Sequence, residues 1–179
     1  MLARAGAGLR AGGDTRARRH RGRGGVARRG AERTDGRDPG LPLKDPDQLL
    51  TLASIVEKET GLARERPEIA GVFVRRLQKG MLLQTDPTVI YGMGAAYDGN
   101  IRKADLERDT PWNTYRRAGL PPTPIAMPGK AALLAAVRPE STKALYFVSR
   151  GDGSSEFSDT LADHNRAVNQ YQRAPQRGK

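Results

Sequence analysis

The stretch LLTLASIVEKETG, residues 49–61, carries the reading of the fold. On a helical wheel of about 100° per residue, Leu49, Leu52, Ala53, Val56 and Thr60 fall in one arc, with Leu50 and Ile55 on its flanks. Lys58 falls opposite, toward water. Glu57 lies between Ala53 and Leu50, inside the apolar side, and Glu59 lies between Leu52 and Ile55 on its other edge. The two carboxylates are then about 160° apart and do not share a face. Burial disfavours a charged carboxylate and raises its pKa. Glu57 is therefore expected to hold a proton near neutral pH, which is what a general acid needs. The competing reading of Glu57 is an ion pair with an arginine of RERPE (64–68) or VRR (74–76). For Glu59 it is a helix-edge residue or a salt-bridge partner.

Outward from this stretch, Asp45-Pro46 is a helix start, a side-chain acceptor followed by a ring whose missing donor is one the first turn leaves unpaired anyway. Gly61 is the expected stop. PEIAGVFVRRLQKG (67–80) predicts a second helix with Ile69, Val72, Phe73 and Leu77 on one stripe. MLLQT (81–85) is a strand candidate, and DPTVIYGMG (86–94) repeats the Asp-Pro start as a short helix ended by glycine. GLPPTPIAMPG (119–129) holds four of the twelve prolines and must be irregular. KAALLAAV (130–137) reads as a close-packing helix, and ALYFVSRGDGSSEFS (144–158) as a hairpin about a Gly-Asp-Gly turn, where RGD is turn chemistry rather than an adhesion signal. DTLADHNRAVNQYQR (159–173) closes as a helix capped by Asp159. Helices and a few short strands without regular βαβ alternation predict an α+β domain.

The charge is unevenly spread. Residues 1–38 hold eleven Arg, no Lys and four acidic residues, so they carry +7 of the total +11. Built from Arg, Gly and Ala, this segment is expected to be a disordered extension, with the folded domain over residues 39–179. A nucleic-acid-binding arm is the functional alternative for it, but no Phe, Tyr or Trp is interleaved for bases to stack on, and no specific nucleic acid is expected as a partner. A misassigned start or shifted reading frame would produce the same composition. With no Cys and only His20 and His164, a thiolate metal site is excluded and a zinc enzyme is not expected. No window approaches the roughly 18 to 20 apolar residues of a membrane span, and the first residues lack a signal-peptide core.

Gln84, Thr85, Asp86 and Tyr91 come together in LLQTDPTVIYG (82–92), and Asn113 and Tyr115 stand in WNTYRRAGLPP (112–122) beside Trp112 and Thr114. Amides, hydroxyls and aromatic faces on irregular backbone suit a carbohydrate, which offers many hydroxyls and a weakly apolar face. The strings LASIVEKET, LQTDPTVIYGMG, NTY, GLPPTPI, PG, LYFV and HN, in this order and spacing, resemble the catalytic domain of the endolytic murein transglycosylase family, also called YceG-like or MltG. The resemblance runs from about Leu41 to the C-terminus. It implies cleavage of the β-1,4 bond between N-acetylmuramic acid and N-acetylglucosamine in nascent glycan strands, leaving 1,6-anhydromuramoyl ends. It places the catalytic glutamate at Glu57, gives Gln84, Thr85, Asp86, Tyr91, Asn113 and Tyr115 to the substrate, and leaves Glu59 and Asn165 in supporting places.

The same resemblance implies no metal and no cofactor, since the muramic acid's own C6 hydroxyl is the attacking group and one carboxyl can serve both proton transfers. Peptidoglycan strands are the implied partner, with peptidoglycan synthases as accompanying proteins, at the outer face of the cytoplasmic membrane. The family's membrane helix and LysM-like module have no counterpart here, so a truncated chain without an anchor is expected. A glycan-binding module without activity is the alternative in another class. Family members have also been labelled aminodeoxychorismate lyases, which use pyridoxal phosphate, but no lysine stands in a recognisable context for that cofactor.

Overall fold

A computed structural model describes residues 40–173, so what is expected of residues 1–38 lies outside the described residues. Among the described residues there are six α-helices and one two-stranded antiparallel sheet, an α+β domain as the element pattern predicts.

Helix α1 (Pro46–Glu59) starts at Asp45, whose side chain accepts from the Gln48 N–H at 2.8 Å with Pro46 in the first turn. Every residue from Leu49 to Val56 is buried, so α1 is a central helix rather than one lying on a surface. The two hydroxyls this buries are satisfied at once. Thr51 donates to the Asp47 carbonyl at 2.8 Å, and Ser54 donates to the Thr51 carbonyl at 2.7 Å. Ser54 also accepts the Ile125 N–H at 3.0 Å and so fastens the proline-rich segment to the core.

Helix α2 (Arg66–Gln78) packs on α1 through Ile69, Ala70, Phe73 and Val74. Helix α3 (Asp86–Met93) packs on α1 as well and stops at Gly94, whose φ of 55° is the left-handed region that favours glycine. Helix α4 (Lys103–Glu107) is too short to carry a hydrophobic period, and the sequence reading did not foresee it. Helix α5 (Lys130–Val137) slots between α1 and α2, its Ala132, Ala135 and Ala136 letting the backbones approach.

The hairpin forms as expected. Strand β1 (Tyr146–Ser149) pairs with β2 (Ser155–Ser158) in the register Tyr146↔Ser158 to Ser149↔Ser155. Asp152 accepts from the Ser154 N–H and hydroxyl at 2.8 and 2.6 Å, which confirms the turn role of the RGD triplet. Two side chains of the helical layer hold the hairpin in place. Glu65 takes the Ser155 N–H and hydroxyl, each at 3.0 Å, and Arg76 donates to the Leu145 carbonyl at 2.7 Å. Phe73 meets Phe147 edge to face at 5.9 Å. Helix α6 (Leu161–Val168) covers both strands, and Tyr146 stacks on His164 at 5.2 Å.

Two expectations are corrected. Residues 81–85 form no strand, because their backbone groups find partners outside any ladder. The Leu82 and Leu83 carbonyls accept from the Arg76 guanidinium at 2.9 and 3.0 Å, and the Gln84 N–H donates to the Thr114 carbonyl at 3.1 Å. The cap of α6 is Thr160, not Asp159, since it is the Thr160 hydroxyl that accepts the Asp163 N–H at 3.1 Å.

Candidate active site

The two glutamates at the end of α1 diverge, as the wheel predicts, but the environments are exchanged. The Glu57 side chain keeps 29% of its surface exposed. Its oxygens face the Gly129 N–H, at the start of α5, at 3.2 Å and the Arg66 guanidinium at 3.9 Å. These are partners for an anion, and one of them is the arginine of RERPE. The burial expected of Glu57 is thus corrected: its side chain stays part-exposed between the start of α5 and Arg66.

Glu59 is the last residue of α1. As a whole residue it is part-buried, with some surface left to solvent. The Thr85 hydroxyl donates to Oε1. Burial is the largest influence on the carboxyl and lifts it from its ordinary 4.5 to about 7. The Thr85 hydrogen bond and the Arg76 charge oppose that rise, and the Asp86 charge adds to it.

The groups around Glu59 come from three segments. Thr85 is 1% exposed and is fixed by its N–H, which donates to the Thr114 hydroxyl at 3.1 Å. Gln84 turns the chain into place with φ of 52°, the one non-glycine residue with positive φ among those described, and its side-chain oxygen lies 3.5 Å from the Arg76 guanidinium. Asp86 opens α3 and accepts from the Tyr115 hydroxyl at 2.5 Å. Burial first, then the Asp86 charge, pushes the Tyr115 phenol well above its usual range. Arg76 is 1% exposed and lies with its guanidinium 5.1 Å from the Tyr146 ring centroid. A half-open cluster of one acid, one anion, one cation and two hydroxyls can bind a polar ligand and move a proton without a metal.

A model of the YceG-like family matches residues 23–170. The chain belongs to that family. The match begins ahead of the boundary between residues 38 and 39 that composition suggests. Curated relatives include an endolytic murein transglycosylase of Bacillus subtilis, 46% identical over 124 residues, covering 69% of this chain and 34% of that protein. Another, of Streptococcus pneumoniae, is 34% identical over 131 residues, covering 70% of this chain and 24% of the relative. A crystal structure of a yceG-like protein from Listeria monocytogenes matches with a TM-score of 0.62 and 44% identity over 68% of this chain and 38% of that one. The chain thus spans about a quarter to two fifths of the length of these relatives.

Within this YceG-like domain the residues singled out from sequence are only partly brought together. Glu59, Thr85, Asp86, Tyr115 and Gln84 converge. Asn113 is 1% exposed and its amide is occupied by its own loop, donating to the Asp105, Leu106 and Arg108 carbonyls at 3.4, 3.0 and 2.6 Å and accepting the Tyr115 N–H at 2.9 Å. It shapes the loop that carries Tyr115 and has no free group to offer a sugar. Thr85 is likewise closed to a ligand and acts on Glu59. Tyr91 stands 44% exposed at the far end of α3, tilted 60° against Trp112 at 5.6 Å. Asn165 is exposed on α6, and none of the hydrogen bonds joining the cluster involves it. Sequence reasoning passed over Arg76 as a member of the site. Its signal was there: at three and four residues after Phe73 and Val72, it falls on the apolar stripe of α2, where a cation needs a reason.

Among the described residues no helix is long and apolar enough to cross a membrane, and no group of His, Asp or Glu could hold a metal ion.

Proposed function

We propose that this domain is the catalytic part of an endolytic murein transglycosylase, with Glu59 as its proton donor. The observation that carries the reading is the part-buried Glu59 carboxyl in this half-open cluster, hydrogen-bonded by Thr85 and lifted by burial to about 7. A group so placed keeps its proton near neutral pH and can give it to the oxygen leaving the muramic acid C1. The C6 hydroxyl of the same sugar then attacks C1. Glu59, now ionised, takes the hydroxyl proton, so the 1,6-anhydro ring closes and the carboxyl is restored. One carboxyl serves both steps, whereas hydrolysis of a glycoside needs a second to act on water or on the sugar. Names of the relatives support the reaction class, and they support murein as the substrate. The family resemblance assigned this role to Glu57; its partial exposure and its contacts with Arg66 and Gly129 favour a structural anion there instead. Work on nascent strands would place the domain on the outer face of the cytoplasmic membrane, beside peptidoglycan synthases.

The test is mass spectrometry of glycan fragments after incubating uncrosslinked peptidoglycan strands with the chain and with its Glu59→Gln and Glu57→Gln variants. Anhydromuramoyl ends from the parent and from Glu57→Gln, with none from Glu59→Gln, are expected. Cleavage that survives Glu59→Gln and disappears in folded Glu57→Gln returns the role to Glu57.

A further inference from the structure

Two carboxylates stand in this cluster, and the fold sets them at opposite kinds of helix end. Glu59 is the last residue of α1, where unpaired carbonyls and the negative end of the helix dipole disfavour an anion. Asp86 is the first residue of α3, where the positive end of the helix dipole favours one. The Tyr115 hydroxyl, donating to Asp86 at 2.5 Å, again favours its charged form. Thr85 links the two, since it donates to Glu59 and is the residue next to Asp86. From α2, Arg76 faces them with its guanidinium clamped by the Leu82, Leu83 and Leu145 carbonyls, so its charge cannot move away. On α1 itself, Lys58 is exposed and Glu57 is turned toward Arg66. The charges of Arg76 and Asp86 cancel. A further negative charge, on Glu59, would be left over in a place shielded from water.

We propose that Asp86 is the positioning residue of this site: its charge, anchored by the start of α3 and by Tyr115, holds the proton on Glu59, while the single Arg76 charge balances that of Asp86. The inference rests on the reading of Glu59 as the proton donor and adds a charge that reinforces burial in keeping it protonated. The directions agree, as Asp86 raises Glu59 and Arg76 lowers it. There is a catalytic consequence. Once Glu59 has given its proton away, the neighbouring Asp86 charge makes it a stronger base, which suits the return of a proton from the C6 hydroxyl.

The experiment is a carbon-13 NMR titration of the glutamate and aspartate side-chain carboxyls in the full chain and two variants. Asp86→Asn is expected to lower the Glu59 midpoint by about one pH unit. Glu59→Gln, which keeps the side-chain shape, is expected to leave the Asp86 midpoint in place and below that of Glu59, because Asp86 loses its proton while Glu59 is still neutral, as glutamine is. In kinetics, Asp86→Asn moves the alkaline limb of kcat/KM to lower pH, which a loss of packing alone would not do. A Glu59 midpoint that stays in place in Asp86→Asn, or an Asp86 midpoint that falls in Glu59→Gln, overturns the proposal, and should Asp86→Asn fail to fold, the Glu59→Gln titration decides alone. Failure of the general-acid reading is separately visible: cleavage retained by Glu59→Gln removes Glu59 as the donor and leaves the measured coupling as it is.

Discussion

Glu59→Gln should make the folded chain more stable, and more so as pH rises. In the folded state the Glu59 carboxyl titrates near 7, against an ordinary value of 4.5 taken for the unfolded chain. Between these values the folded state binds a proton that the unfolded state has released, so unfolding stability falls with rising pH, by 1.36 kcal/mol per unit. Below pH 4.5 both states are protonated and the carboxyl is without effect. Above pH 7 both are ionised, and the full cost of a shielded carboxylate remains. The interval from 4.5 to about 7 makes that cost about 3 kcal/mol. Glutamine keeps an oxygen to accept from Thr85 and carries no charge at any pH. Urea unfolding followed by circular dichroism should therefore give equal stabilities for the parent and Glu59→Gln at pH 4.5, and a gain of about 3 kcal/mol for the variant at pH 8. A difference that does not vary with pH, or that favours the parent at pH 8, would refute the claim that this carboxyl is held protonated by its surroundings.

Gly71→Ala places a Cβ at 2.3 Å from the Glu140 carbonyl oxygen, where backbone must shift; despite a helix-propensity gain of about 1 kcal/mol, thermal unfolding should report a net loss of about 1–2 kcal/mol. Ser54→Ala leaves the buried Ile125 N–H without its acceptor and should cost about 1–3 kcal/mol in urea unfolding. Asn113→Ala frees the carbonyls of Asp105, Leu106 and Arg108 and the N–H of Tyr115, and should cost about 2 kcal/mol, with faster proteolysis in residues 105–115.

Much of the fold was legible because local chemistry and tertiary context agree. Asp45-Pro46 caps α1, Gly94 ends α3, the alanines of 130–137 build a close-packed helix, and Gly151 and Gly153 open the hairpin turn with φ of 89° and 91°. What failed did so for tertiary reasons. A wheel ranks positions against one apolar arc, but α1 is buried around nearly its whole girth, so angle alone could not tell Glu57 from Glu59. The groups that enclose Glu59 come from residues 76, 85, 86 and 115, and only the folded chain brings them together. Likewise MLLQT has the composition of a strand and no strand beside it. Polar residues such as Thr85 and Asn113 looked like ligand contacts by type, but type does not reveal whether their hydrogen bonds are already taken within the protein.

The hairpin has a bearing on how the chain acquires its shape. A two-stranded ribbon is marginal by itself. This one is secured by Arg76 to Leu145 and by Glu65 to Ser155, across 69 and 90 positions of sequence. Closing loops of that length is slow compared with forming helices from neighbouring residues. Helices α1 and α2 should consequently assemble first, and the hairpin with α6 should dock onto them late, during which time Arg76 and Glu65 wait without these acceptors and donors. Synthesis from the N-terminus favours the same order, since the segment that completes the burial of Arg76 leaves the ribosome after α1 and α2.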